Sequence, residues 1–141
     1  MPLVSERIAI ADARRGTQAA LDRFEEGCRA AGLAEDAVLE LRVVAEEVLT
    51  NIAKYAYAPG AVPAAEMSFA FEDGATIVEF RDQGRPFDPL AAPAPDLGAP
   101  LEQRPEGGLG LTLVRALVDE VRYVRDGPTN LLRLVKRRSA P

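Results

Sequence analysis

The chain has 141 residues, 48% hydrophobic and 28% charged, with a net charge of −5 and no histidine. A chain of this length is most simply one domain, and its acidic balance argues against nucleic acid as the main partner, because phosphate affinity needs clustered cations. Without histidine, Ser-His-Asp triads, imidazole general bases, histidine metal ligands and self-phosphorylation on histidine are all excluded.

The single cysteine, Cys28, rules out an internal disulfide and a multi-cysteine zinc site. No apolar run reaches membrane-spanning length, and "MPLVSERIAI" lacks a basic stretch followed by an apolar one. A soluble, cytoplasmic protein without membrane association is the expectation. Lys136, Arg137 and Arg138 form the one basic cluster and read as a solvated tail.

In chain order, residues 3–11 predict a weak strand, with Asp12 as the N-cap of a following helix. That helix carries Leu21, Phe24, Cys28 and Ala31 at helical spacing and stops at Gly32. A second helix is predicted over 34–56, with Glu35 and Asp36 in its first turn and Leu41, Val44, Val48 and Ile52 as its buried stripe. "AEMSFAFE" and "ATIVEFR" then read as two strands, joined by an Asp73-Gly74 hairpin turn.

Residues 83–107 differ in kind, with six prolines and almost no periodicity. A loop of that length inside one domain is usually functional or disordered. A third helix follows over 109–120, with Leu113, Val114, Leu117 and Val118, and a second hairpin ends the chain. The order β-α-α-β-β-loop-α-β-β predicts an α+β fold, a two-layer sandwich with helices on one face of a mostly antiparallel sheet. One domain, 1–141, is expected.

Three motifs fall where such a fold brings one pocket together. In "EEVLTN", Glu47 and Asn51 are four apart and project from one helix face beside the apolar stripe. Asn51 offers an oxygen to a hard cation and Glu47 can accept a proton; alone, the two also read as a surface pair. In "DQGRPFDP", Asp82 ends a buried strand and needs a donor. Gly84 lets a flat ligand approach the backbone, although Asp-Gln-Gly is also ordinary turn chemistry. In "EGGLGLTLV", Gly107, Gly108 and Gly110 open a helix whose free N–H groups suit phosphate. This is not a Walker A loop, since no lysine lies between Lys54 and Lys136. An exocyclic amine, a metal and phosphates together describe an adenine nucleotide with Mg²⁺.

The ordered motifs resemble the Bergerat-type ATP-binding fold of the GHKL superfamily, shared by gyrase, the Hsp90 chaperone, histidine kinases and MutL. "EEVLTN" is similar to its N box, "DQGRPFDP" to its first glycine box and "EGGLGL" to its second. The short chain and "FDP" resemble the anti-sigma factor serine/threonine kinases, and the likeness spans residues 7–136. The absence of histidine favours this branch over a histidine kinase.

The resemblance implies a histidine-kinase-like ATPase domain using ATP and Mg²⁺. It makes Asn51 the Mg²⁺ ligand, Glu47 the general base and Asp82 the acceptor for the adenine amino group, with Gly84 beneath the ring. Gly108 and Gly110 would contact phosphates, Thr112 would lie near the nucleotide, and 89–106 would form a lid. The implied partners are a STAS-type anti-anti-sigma protein, phosphorylated on serine or threonine, and a sequestered sigma factor; a homodimer is also implied.

Two features depart from the pattern: Tyr55 stands where relatives often have histidine, and Arg104 is the only cation of the lid. Two other readings stay open, an ATP-gated binding module without turnover and a stand-alone catalytic domain of a two-component system. Arg14, Arg15, Arg23 and Arg29 on the first helix read either as a docking face or as a solvated one.

Overall fold

The computed structural model describes residues 4–87 and 108–138. Its elements are β1 (Val4–Ile10), α1 (Thr17–Ala30), α2 (Glu35–Asn51), a π-helical turn (Ile52–Ala56), β2 (Ala65–Glu72), β3 (Ala75–Asp82), α3 (Gly108–Leu117), β4 (Glu120–Asp126) and β5 (Thr129–Arg137). The five strands form one sheet in the order β1-β2-β3-β5-β4, antiparallel at every step. The expected α+β architecture is the one observed.

Each strand alternates, so one sheet face is covered by the helices and the other is open. Met67, Phe69 and Phe71 of β2 and Thr76, Val78, Phe80 and Asp82 of β3 take the covered face. Phe24 of α1 meets Phe69 at a 5.0 Å ring separation, and Phe69 meets Phe71 at 5.8 Å. Gly27 makes room for this cluster, because a Cβ there would lie 2.8 Å from the Phe69 ring.

The turns follow their local chemistry. The N–H of Leu33 donates to Cys28 at 3.1 Å and that of Gly32 to Arg29 at 3.0 Å, ending α1 with Gly32 at φ 84°. Gly74 at φ 81° closes the two-residue β2–β3 hairpin, where Glu72 pairs with Ala75.

Three local expectations are corrected. Asp12 does not cap α1: it closes a preceding turn, accepting from Arg15 and Gly16, and Gly16 takes the cap position. Leu113 is 39% exposed, whereas Val114 of α3 and Val118 just after it enter the core. The basic C-terminal residues are not a free tail, since Lys136 pairs with Glu40 at 3.2 Å and Arg137 with Glu120 at 3.0 Å. Arg138 donates to the Ala31 carbonyl. On the first-helix face, Arg15 pairs with Asp12, Arg23 with Glu6, and Arg29 with Glu25 and Glu35. Much of that face's positive charge is therefore met within the molecule.

Cys28 is fully buried on α1. Burial first, and the Glu25 charge second, push its thiol up from 9.0 to about 12. The raised folded value means the fold keeps this contribution below pH 9.0 and loses it as pH climbs toward about 12. Native Cys28 is expected to resist a thiol-labelling reagent at pH 8 and to react in denaturant. Rapid labelling of the native protein would contradict its place in the core.

Candidate nucleotide site

The site is floored by strand register. Asp82 of β3 stands opposite Asn130 of β5, which stands opposite Arg125 of β4. The next row is Phe80, Leu132 and Tyr123. One row is polar and its neighbour apolar. Above them lie Val48, Asn51 and Ile52 at the end of α2, Val114 of α3, and Phe87. The cleft they enclose measures about 500 Å³, counting the space open to solvent. A slot with apolar walls and a few convergent polar groups is the usual form of a small-molecule site.

Asp82 is 7% exposed, yet every buried polar side-chain atom among the described residues has a partner. Its Oδ1 accepts the Gly84 N–H at 2.9 Å and the Asn130 Nδ2 at 2.9 Å. Oδ2 accepts nothing among the described residues, and Asp82 is one of the residues lining the cleft. Asn130 is 4% exposed and also donates from Nδ2 to the Arg85 carbonyl at 2.8 Å. Its Oδ1 accepts the Tyr123 hydroxyl at 2.6 Å and Arg125 Nη1 at 3.1 Å. Arg125 Nη1 reaches on to the Gly84 carbonyl at 2.8 Å.

The loop after β3 is docked on the end of α2. That helix widens into the π-turn, a distortion often found at functional sites, and its last carbonyls would otherwise be unsatisfied. The Arg85 N–H donates to Ala56 at 2.7 Å, and Arg85 Nε to the Tyr55 carbonyl at 2.5 Å. Tyr55 stacks on Phe87, with ring centroids 5.6 Å apart and planes 25° apart. Tyr55 thus supports the aromatic ring that lines the cleft, which gives Phe87 a place that "FDP" alone did not.

Gly84 has a packing reason beside the expected one. A Cβ there would sit 2.1 Å from the Ala56 carbonyl oxygen, so glycine lets the loop close on the π-turn. Gly84 is not among the residues lining the cleft.

Asn51 lines the cleft and is half-buried, and its carboxamide makes no hydrogen bond among the described residues. Glu47 stands one turn earlier on the same helix face, half-buried, outside the cleft lining and with no ion-pair or hydrogen-bond partner among the described residues. Gly108 and Gly110 lie in the first turn of α3, and Thr112 is exposed on its second. Gly107, Asp88 and the expected lid at 89–106 lie outside the described residues. The structure thus gathers Asn51 and Asp82 in one cleft, sets Glu47 a turn away, and aims the cleft-lining helix α3 from a glycine-rich start.

Sequence reasoning missed Asn130, Tyr123 and Arg125. One signal was available: Asn130 is in phase with Leu132 and Leu134, a polar residue on a buried strand face. Buried polar groups of that kind need partners.

Residues 10–136 match the histidine kinase-like ATPase domain family. The chain belongs to that family. Among relatives of this ATPase domain, the serine/threonine-protein kinase BtrW of Bordetella bronchiseptica is 32% identical over 101 residues, covering 72% of this chain and 70% of BtrW. The serine-protein kinase RsbW of Bacillus cereus is 31% identical over 100 residues, covering 67% of this chain and 61% of RsbW. The ATPase domain therefore spans rather less than two-thirds of the RsbW relatives.

Among solved structures, the RsbU and RsbW domains of a Mycobacterium tuberculosis protein superpose with a TM-score of 0.70 at 18% identity. That match covers 99% of this chain and 34% of the other. A blue-light activated histidine kinase of Erythrobacter litoralis gives a TM-score of 0.57 at 19% identity, covering 84% and 41%. At those identities the likeness establishes the fold, and the kinase relatives establish the branch of the ATPase family that the motifs resemble. Among the described residues of this domain, no helix is long and apolar enough to cross a membrane.

Proposed function

We propose that the protein is a Mg-ATP-dependent serine/threonine protein kinase that acts as an anti-sigma factor. Its substrate is a serine or threonine hydroxyl on a STAS-type anti-anti-sigma protein, and its second partner is a sigma factor held or released according to that phosphorylation. The single observation that carries the nucleotide reading is the buried Asp82 carboxylate lining an otherwise apolar slot, with both of its hydrogen bonds among the described residues on Oδ1. In this reading a flat base lies against Phe80, Leu132 and Val114, and the Asp82 carboxylate accepts from its exocyclic amine. The kinase relatives support the phosphoryl-transfer half of the reading.

Mg²⁺ fits the residues present in a particular way. Among the described residues no three acidic or sulfur ligands cluster, but Asn51 holds an uncommitted carboxamide on the cleft. Mg²⁺ commonly keeps its waters and is held by few protein oxygens plus substrate phosphates. Bound there, the ion supplies neutralisation of charge on the phosphate oxygens.

The residues then divide the work. Asp82 and the apolar walls fix the base, and the N–H groups at the start of α3 receive phosphate oxygens. Glu47 takes the proton as the partner's hydroxyl oxygen bonds to the γ-phosphorus, the bond from that phosphorus to the β–γ bridging oxygen breaks, and ADP leaves.

The test is to incubate the protein with γ-labelled Mg-ATP and candidate STAS-type proteins. Label on a partner serine or threonine is expected. ATP binding without label on any partner would instead favour a nucleotide-gated binding module, and no ATP binding would remove the nucleotide reading itself.

A further inference from the structure

We propose that Asn130 is a positioning residue that sets the base selectivity of the site through Asp82, with Tyr123 and Arg125 enforcing the direction of its amide. The proposal rests on the nucleotide reading given above and adds to it what makes Asp82 a selective acceptor.

A side-chain amide has two N–H donors and one oxygen with two lone pairs. In Asn130 all four are used within the protein. Nδ2 donates to Asp82 Oδ1 and to the Arg85 carbonyl, while Oδ1 accepts from the Tyr123 hydroxyl and from Arg125. Tyr123 and Arg125 bring protons to one end of the amide, and Asp82 and the Arg85 carbonyl bring lone pairs to the other. Turning the amide over would set acceptor against acceptor at Asp82, so only one orientation satisfies the network. Asn130 has no valence left with which to read a ligand, so its effect on binding runs through its neighbours.

Two consequences follow for Asp82. The Asn130 N–H and the Gly84 N–H both land on Oδ1, which fixes the rotation of the carboxylate and leaves Oδ2 uncommitted among the described residues on a cleft-lining side chain. Asn130 and Arg125 also grip the carbonyls of Arg85 and Gly84, so the loop carrying the cleft wall moves with the β4–β5 hairpin. An acceptor held in one direction favours a base with an amino group at that edge over one with a carbonyl. A freely rotating carboxylate, or one displaced with its loop, discriminates less. Sites built around a committed hydrogen-bonding group reject the mismatched partner strongly, because the group is left unpaired.

The natural probe is ATP against ITP, which differ at that edge by an amino group and a carbonyl. The ratio of their dissociation constants is measured by titration for the wild type, Asn130→Ala and Tyr123→Phe, with thermal unfolding as a folding control. The wild type is expected to prefer ATP. In Asn130→Ala the preference is expected to shrink ~10-fold, about the worth of one directed hydrogen bond. Tyr123→Phe keeps the ring in the cleft wall and is expected to lower the preference in the same direction by a smaller factor. If Asn130→Ala proves unfolded, Tyr123→Phe decides the matter alone.

A purely structural role would weaken ATP and ITP equally and leave the ratio at its wild-type value, which would overturn the proposal while leaving the nucleotide reading intact. Failure of the wild type to bind ATP would remove the nucleotide reading, and the positioning role with it.

Discussion

Glu47→Gln is expected to slow phosphoryl transfer to the partner hydroxyl by ~10²- to 10⁴-fold, the usual worth of a positioned general base. The substitution keeps the shape of the side chain and removes its ability to take a proton. Glu47 is half-buried and has neither an ion-pair nor a hydrogen-bond partner among the described residues, so no structural contact is broken and ATP affinity is expected to hold. Its neighbour Glu46 is exposed, and Glu46→Gln is the matched control, expected to transfer at the wild-type rate. Single-turnover kinetics beside an ATP titration separate these effects. Wild-type transfer in Glu47→Gln would remove Glu47 from the chemistry, and a joint loss of binding and transfer would make it a structural residue.

Gly84→Ala is expected to damage the site through its frame. The added Cβ would lie 2.1 Å from the oxygen and 2.7 Å from the carbon of the Ala56 carbonyl, both backbone atoms that cannot rotate away. Relief requires the loop to lift off the π-turn, which disturbs the Arg85 N–H bond to Ala56 at 2.7 Å. The same movement strains the Gly84 N–H bond to Asp82 at 2.9 Å and the Arg125 bond to Gly84 at 2.8 Å. Overpacking of this kind costs ~1–3 kcal/mol of stability. Losing the Gly84 bond to Asp82 is expected to weaken ATP binding by about tenfold more. A variant with the wild-type melting temperature and ATP affinity would show that the loop is not pinned as described.

Much of the fold was legible because its signals are local. The order of elements followed from period-2 and period-3.6 patterns, and the Asp73-Gly74 turn and the Gly32 helix stop were read from single residues. Asp82 was read as a carboxylate ending a buried strand, and the structure sets it in phase with the buried Val78 and Phe80. Leu113 misled because helical spacing gives a stripe's period without fixing which edge of it meets the core.

What escaped was set by pairing at a distance. The opposition of Asp82, Asn130 and Arg125 depends on register between strands separated by α3 and the segment before it, which no local pattern encodes. Gly84 was legible as a required glycine, while its packing cause was not: a Cβ there is excluded by Ala56, nearly thirty positions earlier. The π-turn was hidden too, since "IAKYA" continues a helical pattern and only its docking against Arg85 and Phe87 accounts for the wider turn.

The central claim is that the slot between the end of α2, the β3–β5–β4 rows and α3 receives an adenine nucleotide. Titrating ¹⁵N-labelled protein with Mg-ATP and following the amide resonances tests it most directly. The account predicts shifts concentrated at Asn51 and Ile52, at Asp82–Phe87, at Asn130 and at the start of α3, with Arg7, Arg133 and the rest of the open sheet face unmoved. Shifts confined to the open face, or none at saturating Mg-ATP, would contradict it.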